Sequence, residues 1–328
     1  MDLDLVFLGT SGSVPTGKRA PSALLLRRGG ERLLFDCGEG TQRQLLRSAV
    51  GLIELQEVFL THFHADHYLG LPGMLKTFAL RGREVPLTIY GPPGLKDLFA
   101  TLRRVFGKLT YPVELFEVRP GDVLARGDYD LATFPVAHRI ESLGYALTEH
   151  SRPGRFDVGT ADALGVPAGP ERGRLQAGES VEVDGRTVRP EDVLGAERPG
   201  RTIVLTGDTR ASQTVVEAAR GAEVLVHEAT FLDEERERAK ETAHSTALEA
   251  AEAALEAGVS LLALTHLSNR YFGPEIAREA RTIFPDTVVP KDFDVIDVPL
   301  AERGAPRLVK GGALQTRETP EPAPEVPA

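Results

Sequence analysis

Tryptophan is absent from the 328-residue chain, methionine occurs twice and cysteine once. A lone thiol rules out an intramolecular disulfide and suits a reducing compartment. Cys37 itself reads as a small buried residue, not a ligand. No apolar run approaches the ~20 residues of a membrane-spanning helix, and the N-terminus has no basic stretch followed by an apolar core. The expectation is a cytoplasmic protein with no membrane partner. Positive charge is also in short supply: 38 Lys and Arg face 48 Asp and Glu, a formal net charge of −10. That balance argues against indiscriminate nucleic-acid binding, which relies on cations against phosphate. It leaves room for a local basic face. Residues 76–108 hold Lys76, Arg81, Arg83, Lys96, Arg103, Arg104 and Lys108 against Glu84 and Asp97, a local charge of +5. The stretch reads equally as a solvated helix face or as a surface turned towards a polyanion.

What the chain does have is a dense run of metal-competent side chains. Residues 61–67 read Thr-His-Phe-His-Ala-Asp-His, directly after the apolar Val58-Phe59-Leu60. That short run reads as a buried strand, whose end delivers His62, His64, Asp66 and His67 into a loop at the sheet edge. Imidazoles at i and i+2 point one way off an extended segment, and Asp66 with His67 reaches a second position nearby. Neutral imidazole and carboxylate suit zinc and similar divalent metals.

His-Phe-His-Ala-Asp-His resembles the signature of the metallo-β-lactamase superfamily. The resemblance implies an α/β fold, a four-layer αβ/βα sandwich with a binuclear metal site at one sheet edge. Flavodiiron-type oxidoreductases of that superfamily usually carry Glu at the position of His64, so the histidine favours a hydrolase.

The rest of the chain supplies further candidates at strand ends. A strand over residues 3–8 runs into Gly9-Thr10-Ser11-Gly12-Ser13, and a hairpin joins Leu24-Leu25-Leu26 to Leu33-Leu34-Phe35. Asp36 follows, better placed to orient a ligand than to be one. Helices are expected over 41–47, 69–80 and 95–106, and strands near 87–90, 113–118, 129–136 and 143–147. His138 lies just beyond one strand. Asp208 follows Thr202-Ile203-Val204-Leu205-Thr206, and His266 ends Leu261–Thr265. Residues 151–200 are rich in Gly, Pro, Arg, Asp and Glu and read as an insertion, a protruding arm. Residues 312–328 carry four prolines without apolar periodicity and read as a disordered tail.

Seven candidates repeat one placement, and they fit two metals. His62, His64 and His138 hold one, Asp66, His67 and His266 the other, with Asp208 able to bridge. Within the superfamily the chain is similar to the ribonuclease Z family across most of residues 1–311. The similarity rests on Phe-Leu-Gly-Thr-Ser-Gly-Ser-Val-Pro (7–15), Asp-Cys-Gly-Glu-Gly-Thr-Gln-Arg-Gln-Leu (36–45), the metal loop through Gly73, and Ser-Leu-Gly-Tyr (142–145). Further matches are Gly-Asp-Thr (207–209), His-Glu-Ala-Thr (227–230), His-Ser-Thr (244–246) and Thr-His-Leu-Ser-Asn-Arg-Tyr (265–271). The resemblance implies a catalytic domain over 1–311, an inserted flexible tRNA-binding arm over 151–198, and a tail over 312–328. It implies two Zn2+ per subunit, with Mn2+ or another divalent metal as the alternative, and a homodimer acting on precursor tRNA. The implied activity is endonucleolytic removal of the 3′ trailer, leaving a 3′-hydroxyl on tRNA and a 5′-phosphate on the trailer. Asp66 is the implied proton acceptor, and His244, assisted by Glu228 and in some measure His227, the implied proton donor. Arg270 reads equally as a phosphate contact or as half of an internal salt bridge. The arm carries Arg152, Arg155, Arg172 and Arg174, but Asp157, Asp162 and Glu171 offset them. A phosphodiesterase or arylsulfatase of the same fold is the competing expectation, and it has no use for the arm.

Overall fold

The computed structural model describes residues 1–52 and 55–313. The chain begins with strands β1 (Leu3–Gly9), β2 (Ala23–Arg28) and β3 (Glu31–Phe35), then helix α1 (Thr41–Arg47) and strand β4 (Glu57–Phe59). Helices α2 (Ala65–Tyr68) and α3 (Gly70–Leu80), strand β5 (Leu87–Gly91), helix α4 (Leu95–Phe106) and strand β6 (Val113–Glu117) follow. Strands β7 (Val123–Ala125), β8 (Tyr129–Pro135) and β9 (Leu143–Glu149) lead to the inserted segment. That segment holds α5 (Val158–Ala163), α6 (Pro170–Gln176), β10 (Val181–Val183), β11 (Arg186–Val188) and α7 (Pro190–Val193). Beyond it run β12 (Thr202–Leu205), α8 (Gln213–Ala218), β13 (Val224–Glu228), α9 (Arg236–Thr242), α10 (Ala247–Ala257), β14 (Leu261–Thr265) and α11 (Gly273–Ala280). Strands β15 (Thr287–Val288), β16 (Val295–Asp297) and β17 (Arg307–Val309) complete the described chain.

Two sheets face each other. One has the order β17-β16-β1-β2-β3-β4-β5-β6, the other β15-β14-β13-β12-β9-β8-β7. Strand β1 shows why the layers form. Leu5 and Phe7 point into the space between the sheets, whereas Val6 and Leu8 point out towards the helices. A strand covered on both faces needs apolar residues at every position, hence the unbroken Leu-Val-Phe-Leu. Phe59 stacks between Phe35 and Tyr90 with centroids 5.1 and 4.7 Å away, and Tyr145 of the second sheet meets it edge-on. The Tyr145 hydroxyl donates to the Leu60 carbonyl over 2.8 Å, which fixes the sheets together one residue before the metal loop. Helices α1, α3 and α4 cover the outside of the first sheet, and α8, α10 and α11 that of the second. The result is the expected four-layer αβ/βα sandwich.

Sequence reasoning missed the short strands β7, β15, β16 and β17 and divided the helix after the metal loop differently. The loop turns at once into α2, and α3 starts only at Gly70, where a Cβ would lie 2.1 Å from the Gly38 carbonyl. The inserted segment is also more ordered than its composition suggests. Ala161, Val166, Leu175, Val181, Val188 and Val193 form a small core of their own. At its base Arg152 and Arg198 pair as an antiparallel bridge and both reach Glu302. One step inward, Glu149 is gripped by Arg201 at 2.7 Å through both oxygens and by Arg28 at 2.9 Å. Most of the sequence-expected tail, residues 314–328, lies outside the described residues.

Candidate metal centre

Strand β4 ends at Phe59, and the next residues carry the first imidazoles to the rim of the sandwich. Four histidines have their Nδ1 proton placed by a neighbour. His62 Nδ1 meets Thr61 Oγ1 at 2.9 Å, while that hydroxyl itself donates to Asp36. His67 Nδ1 donates to Asp36 Oδ2 over 2.7 Å, His138 Nδ1 to the Ala243 carbonyl over 2.8 Å. His266 Nδ1 donates to Thr230 Oγ1 over 2.9 Å, and Thr230 passes its own proton to Glu228. A neutral imidazole with a protonated Nδ1 presents a lone pair at Nε2. The Nε2 lone pairs of His62, His67, His138 and His266 therefore all face inwards.

They meet acceptors, not donors. His62 Nε2 and His138 Nε2 lie 3.0 and 3.1 Å from His64 Nδ1, which has at most one proton to offer them. His67 Nε2 and His266 Nε2 each lie 3.3 Å from Asp208 Oδ1, and 3.5 and 3.3 Å from Asp66 Oδ2. His67 Nε2 and Asp208 Oδ1 are buried with no hydrogen-bond partner. Converging lone pairs without protons are the arrangement that divalent cations satisfy, so the donor set fits the metals. The potential donor atoms form two groups that share no residue, His62, His64, His138 with Asp208, and Asp66, His67 with His266, and a third, overlapping group of Asp208, His244 and His266. Asp208 Oδ2 faces His62 at 3.7 Å while Oδ1 faces the second group. All seven predicted positions thus come together at one rim, with Asp208 between the groups.

The backbone here is held in uncommon conformations. Asp36, His266 and Ser13 have φ of 58°, 56° and 55°, a cost of order 1–3 kcal/mol each that persists only where the surroundings enforce it. Ser13 uses its turn to donate its N–H to Asp66 Oδ2 over 2.9 Å. Gly12 lies so close that a Cβ would be 2.8 Å from His266 Nδ1. The loop after β1 therefore forms part of the wall.

Beside these ligand candidates lies a second constellation. His244 Nδ1 is 2.8 Å from Glu228 Oε1, and its ring sits between His138 and His266 with centroids 5.1 and 5.3 Å away. Glu228 also accepts from Thr209 N–H, Thr230 Oγ1 and Ser245 N–H. Burial works against the charged form of His244, but the Glu228 carboxylate outweighs it and lifts the pKa to about 9. For Asp66, burial is outweighed by the neighbouring His266 and His67 rings, which hold the carboxyl well below the usual carboxylate range. Burial dominates at His62 and His138 and keeps both below the ordinary histidine value.

One sequence expectation changes, and one reading left open is decided. His227 does not reach His244: its Nδ1 is engaged by the Glu228 carbonyl and its Nε2 has no partner in the core beside α10, so strand alternation turns it away from the rim. Arg270 makes the salt bridge, 2.8 Å from both Glu235 oxygens, with Tyr271 donating to the same carboxylate. Sequence reasoning missed Thr61, Thr230 and the Ala243 carbonyl, which fix tautomers. The threonines stood inside recognised motifs, whereas a carbonyl leaves no residue-type signal.

Such a sandwich with paired His/Asp groups at its rim defines a metallohydrolase of the metallo-β-lactamase superfamily, and residues 16–266 match that superfamily. Ribonuclease Z of Haloferax volcanii is 49% identical over 97% of this chain and 100% of its own length, and that of Myxococcus xanthus 52% identical over 82% and 88%. The crystal structure of the short form of human tRNase Z superposes with a TM-score of 0.64 at 29% identity, covering 90% of this chain and 99% of that one. The chain belongs to the ribonuclease Z family. It is a metal-dependent hydrolase of the endoribonuclease class.

Proposed function

We propose that this protein removes the 3′ trailer from precursor tRNA, leaving a 3′-hydroxyl on the tRNA and a 5′-phosphate on the trailer. The observation that carries the proposal is the rim itself. Seven inward-facing ligand candidates in two groups lie beside a Glu228–His244 pair, in a chain whose relatives are named ribonuclease Z. His62, His64 and His138 are assigned to one metal, Asp66, His67 and His266 to the other, and Asp208 to both. Two Zn2+ per subunit are the proposed occupants, with Mn2+ or another divalent ion as the alternative. Cations held there supply Lewis-acid neutralisation of phosphodiester charge and lower the pKa of water at the site.

The chain's own side chains divide the proton handling. Asp66, ionised across the working range and fixed by Ser13 at Oδ2, is the proton acceptor. His244, its Nδ1 bound to Glu228 and its pKa about 9, is charged at neutral pH and donates from Nε2 to the departing 3′-oxygen. A positioned acid of this kind contributes roughly 10²–10⁴-fold. Residues 151–198 are assigned as the arm that holds the tRNA body, residues 1–311 as the catalytic domain containing it. The proposal includes a homodimer in which one subunit's arm presents tRNA to the other's site, working in the cytoplasm.

The test is cleavage of a precursor tRNA with a 3′ trailer, with and without chelator, mapping both new ends. A chelator-sensitive cut next to the discriminator nucleotide with the stated termini is expected. Hydrolysis of small phosphodiesters without any cut in the precursor would move the substrate to small esters.

A further inference from the structure

We infer that the outer face of α3 and α4 is a phosphate-binding track for the 3′ trailer. The inference rests on the proposed precursor-tRNA reading and names the surface that takes the RNA beyond the scissile bond. Lys76, Arg81, Lys96, Arg103, Arg104 and Lys108 are all exposed, and among the described residues none has an ion-pair partner. The arm behaves oppositely. Arg152 and Arg198 are held by Glu302, Arg172 by Asp162, Arg174 by Glu179 and Arg189 by Glu191, so five of its seven arginines are paired and, among the described residues, only Arg155 and Arg186 have no ion-pair partner. In a chain of net charge −10, uncommitted cations gathered on one face are an electrostatic footprint for a polyanion.

Position makes the polyanion the trailer. Strand β5 runs parallel to β4, so both end at the metal rim and α4 starts there. At that start a Cβ on Gly94 would lie 3.5 Å from the ring of Phe63, between the first two histidines. From Lys96 to Arg104 the helix descends ~12 Å away from the rim. Helix α3 leaves the same loop and packs beside α4, carrying Lys76 with Arg81 just past its end. The arm departs elsewhere. Strand β9 begins at the rim, where Leu143 N–H meets the Thr61 carbonyl at 2.9 Å, and runs ~20 Å to Glu149 before the arm begins. The tRNA body and the trailer therefore have separate tracks.

The experiment uses the full chain with Arg103→Gln, Arg104→Gln and Lys108→Gln combined, none of them at the rim. Precursors with trailers of one and about twelve nucleotides are compared, with a small chromogenic phosphodiester as control. For the long trailer KM rises with kcat kept, and the salt slope of log KM falls by about 2, from ~0.7 per single-strand phosphate contact. The deficit at about 50 mM salt accordingly shrinks roughly 20-fold by about 200 mM. The short-trailer precursor and the small ester are cleaved as by the parent. Unchanged KM and salt slope on the long trailer would overturn the inference, and so would equal losses on both precursors, which would put the acceptor stem or a second copy of the chain on this face. If the parent cuts neither precursor, the tRNA reading itself fails, a result separable from loss in the variant alone.

Discussion

Replacing Asp36 by asparagine changes one oxygen for an amide nitrogen, yet it disrupts the site through a tautomer. Asp36 Oδ1 accepts from Thr61 N–H at 2.8 Å, and Oδ2 from His67 Nδ1 at 2.7 Å and from Thr61 Oγ1 at 2.9 Å. An amide can serve only one side. With its oxygen towards Thr61 N–H, its NH2 faces His67 Nδ1 and drives the imidazole proton to Nε2, the atom meant for metal. With the amide turned over, NH2 meets Thr61 N–H, donor against donor. Loss of such an outer-shell partner typically costs about 10–100-fold in metal affinity, or ~1.4–2.7 kcal/mol. The expected result for Asp36→Asn is that range of weakening at the group containing His67. Competition against a chromogenic chelator would measure it, with thermal unfolding in excess chelator to confirm that the apo-protein stays folded. Metal affinity within twofold of the parent, in a folded variant, would refute the tautomer argument.

Other consequences follow from the same contacts. Glu149→Ala strands Arg201, which is 2% exposed, while Arg28 keeps Asp128 and Glu31, and it should cost about 3–5 kcal/mol in denaturant unfolding, as breaking a buried ion pair does. Glu228→Gln should lower kcat on precursor tRNA by roughly 10²-fold or more while metal content, read by elemental analysis, stays at the parent's level. Zinc, the proposed occupant, should raise the melting temperature, because the lone pairs that would hold it converge only in the folded chain. At ~1,000 times Kd the gain is ~4 kcal/mol, and a melting curve indifferent to zinc would count against the donor set. Asp292 is lifted to about 6 by burial, above the ~3.9 of an unfolded chain. Its folded form thus binds more protons between those values, and its contribution to stability falls as pH rises from about 4 to about 6. The melting-temperature difference between the parent and Asp292→Asn should drift against the parent over that window.

The ligand candidates were legible because each follows an apolar run, and a strand covered on both faces has to be apolar to its end. Val58–Leu60, Ile203–Leu205 and Leu261–Leu264 are buried, and after each a threonine leads within two residues to a ligand candidate, His62, Asp208 or His266. The arm's interior was not legible. Its core is one alanine, one leucine and four valines spread from Ala161 to Val193, too sparse to show a period. His227 shows the limit of motif reading, since strand alternation sends it into the core while Glu228, one residue on, reaches His244. Arg270 was left open between two partners because a salt bridge 35 residues away, to Glu235, has no local signature.

The supporting residues explain why the rim can stay open to a large substrate. None of the four Nδ1 acceptors relies on metal or water: Asp36 sits at the end of β3, Thr61 after β4, Thr230 after β13, and the Ala243 carbonyl before α10. Each belongs to the framework that the two sheets and α10 bury, so the ligand geometry is set from behind while the front remains exposed. Asp208 is the exception, since its Oδ1 has no partner except the facing imidazoles. His64 is like it, for its Nδ1 meets only His62 and His138, so these two positions are the ones whose geometry bound cations would have most scope to decide.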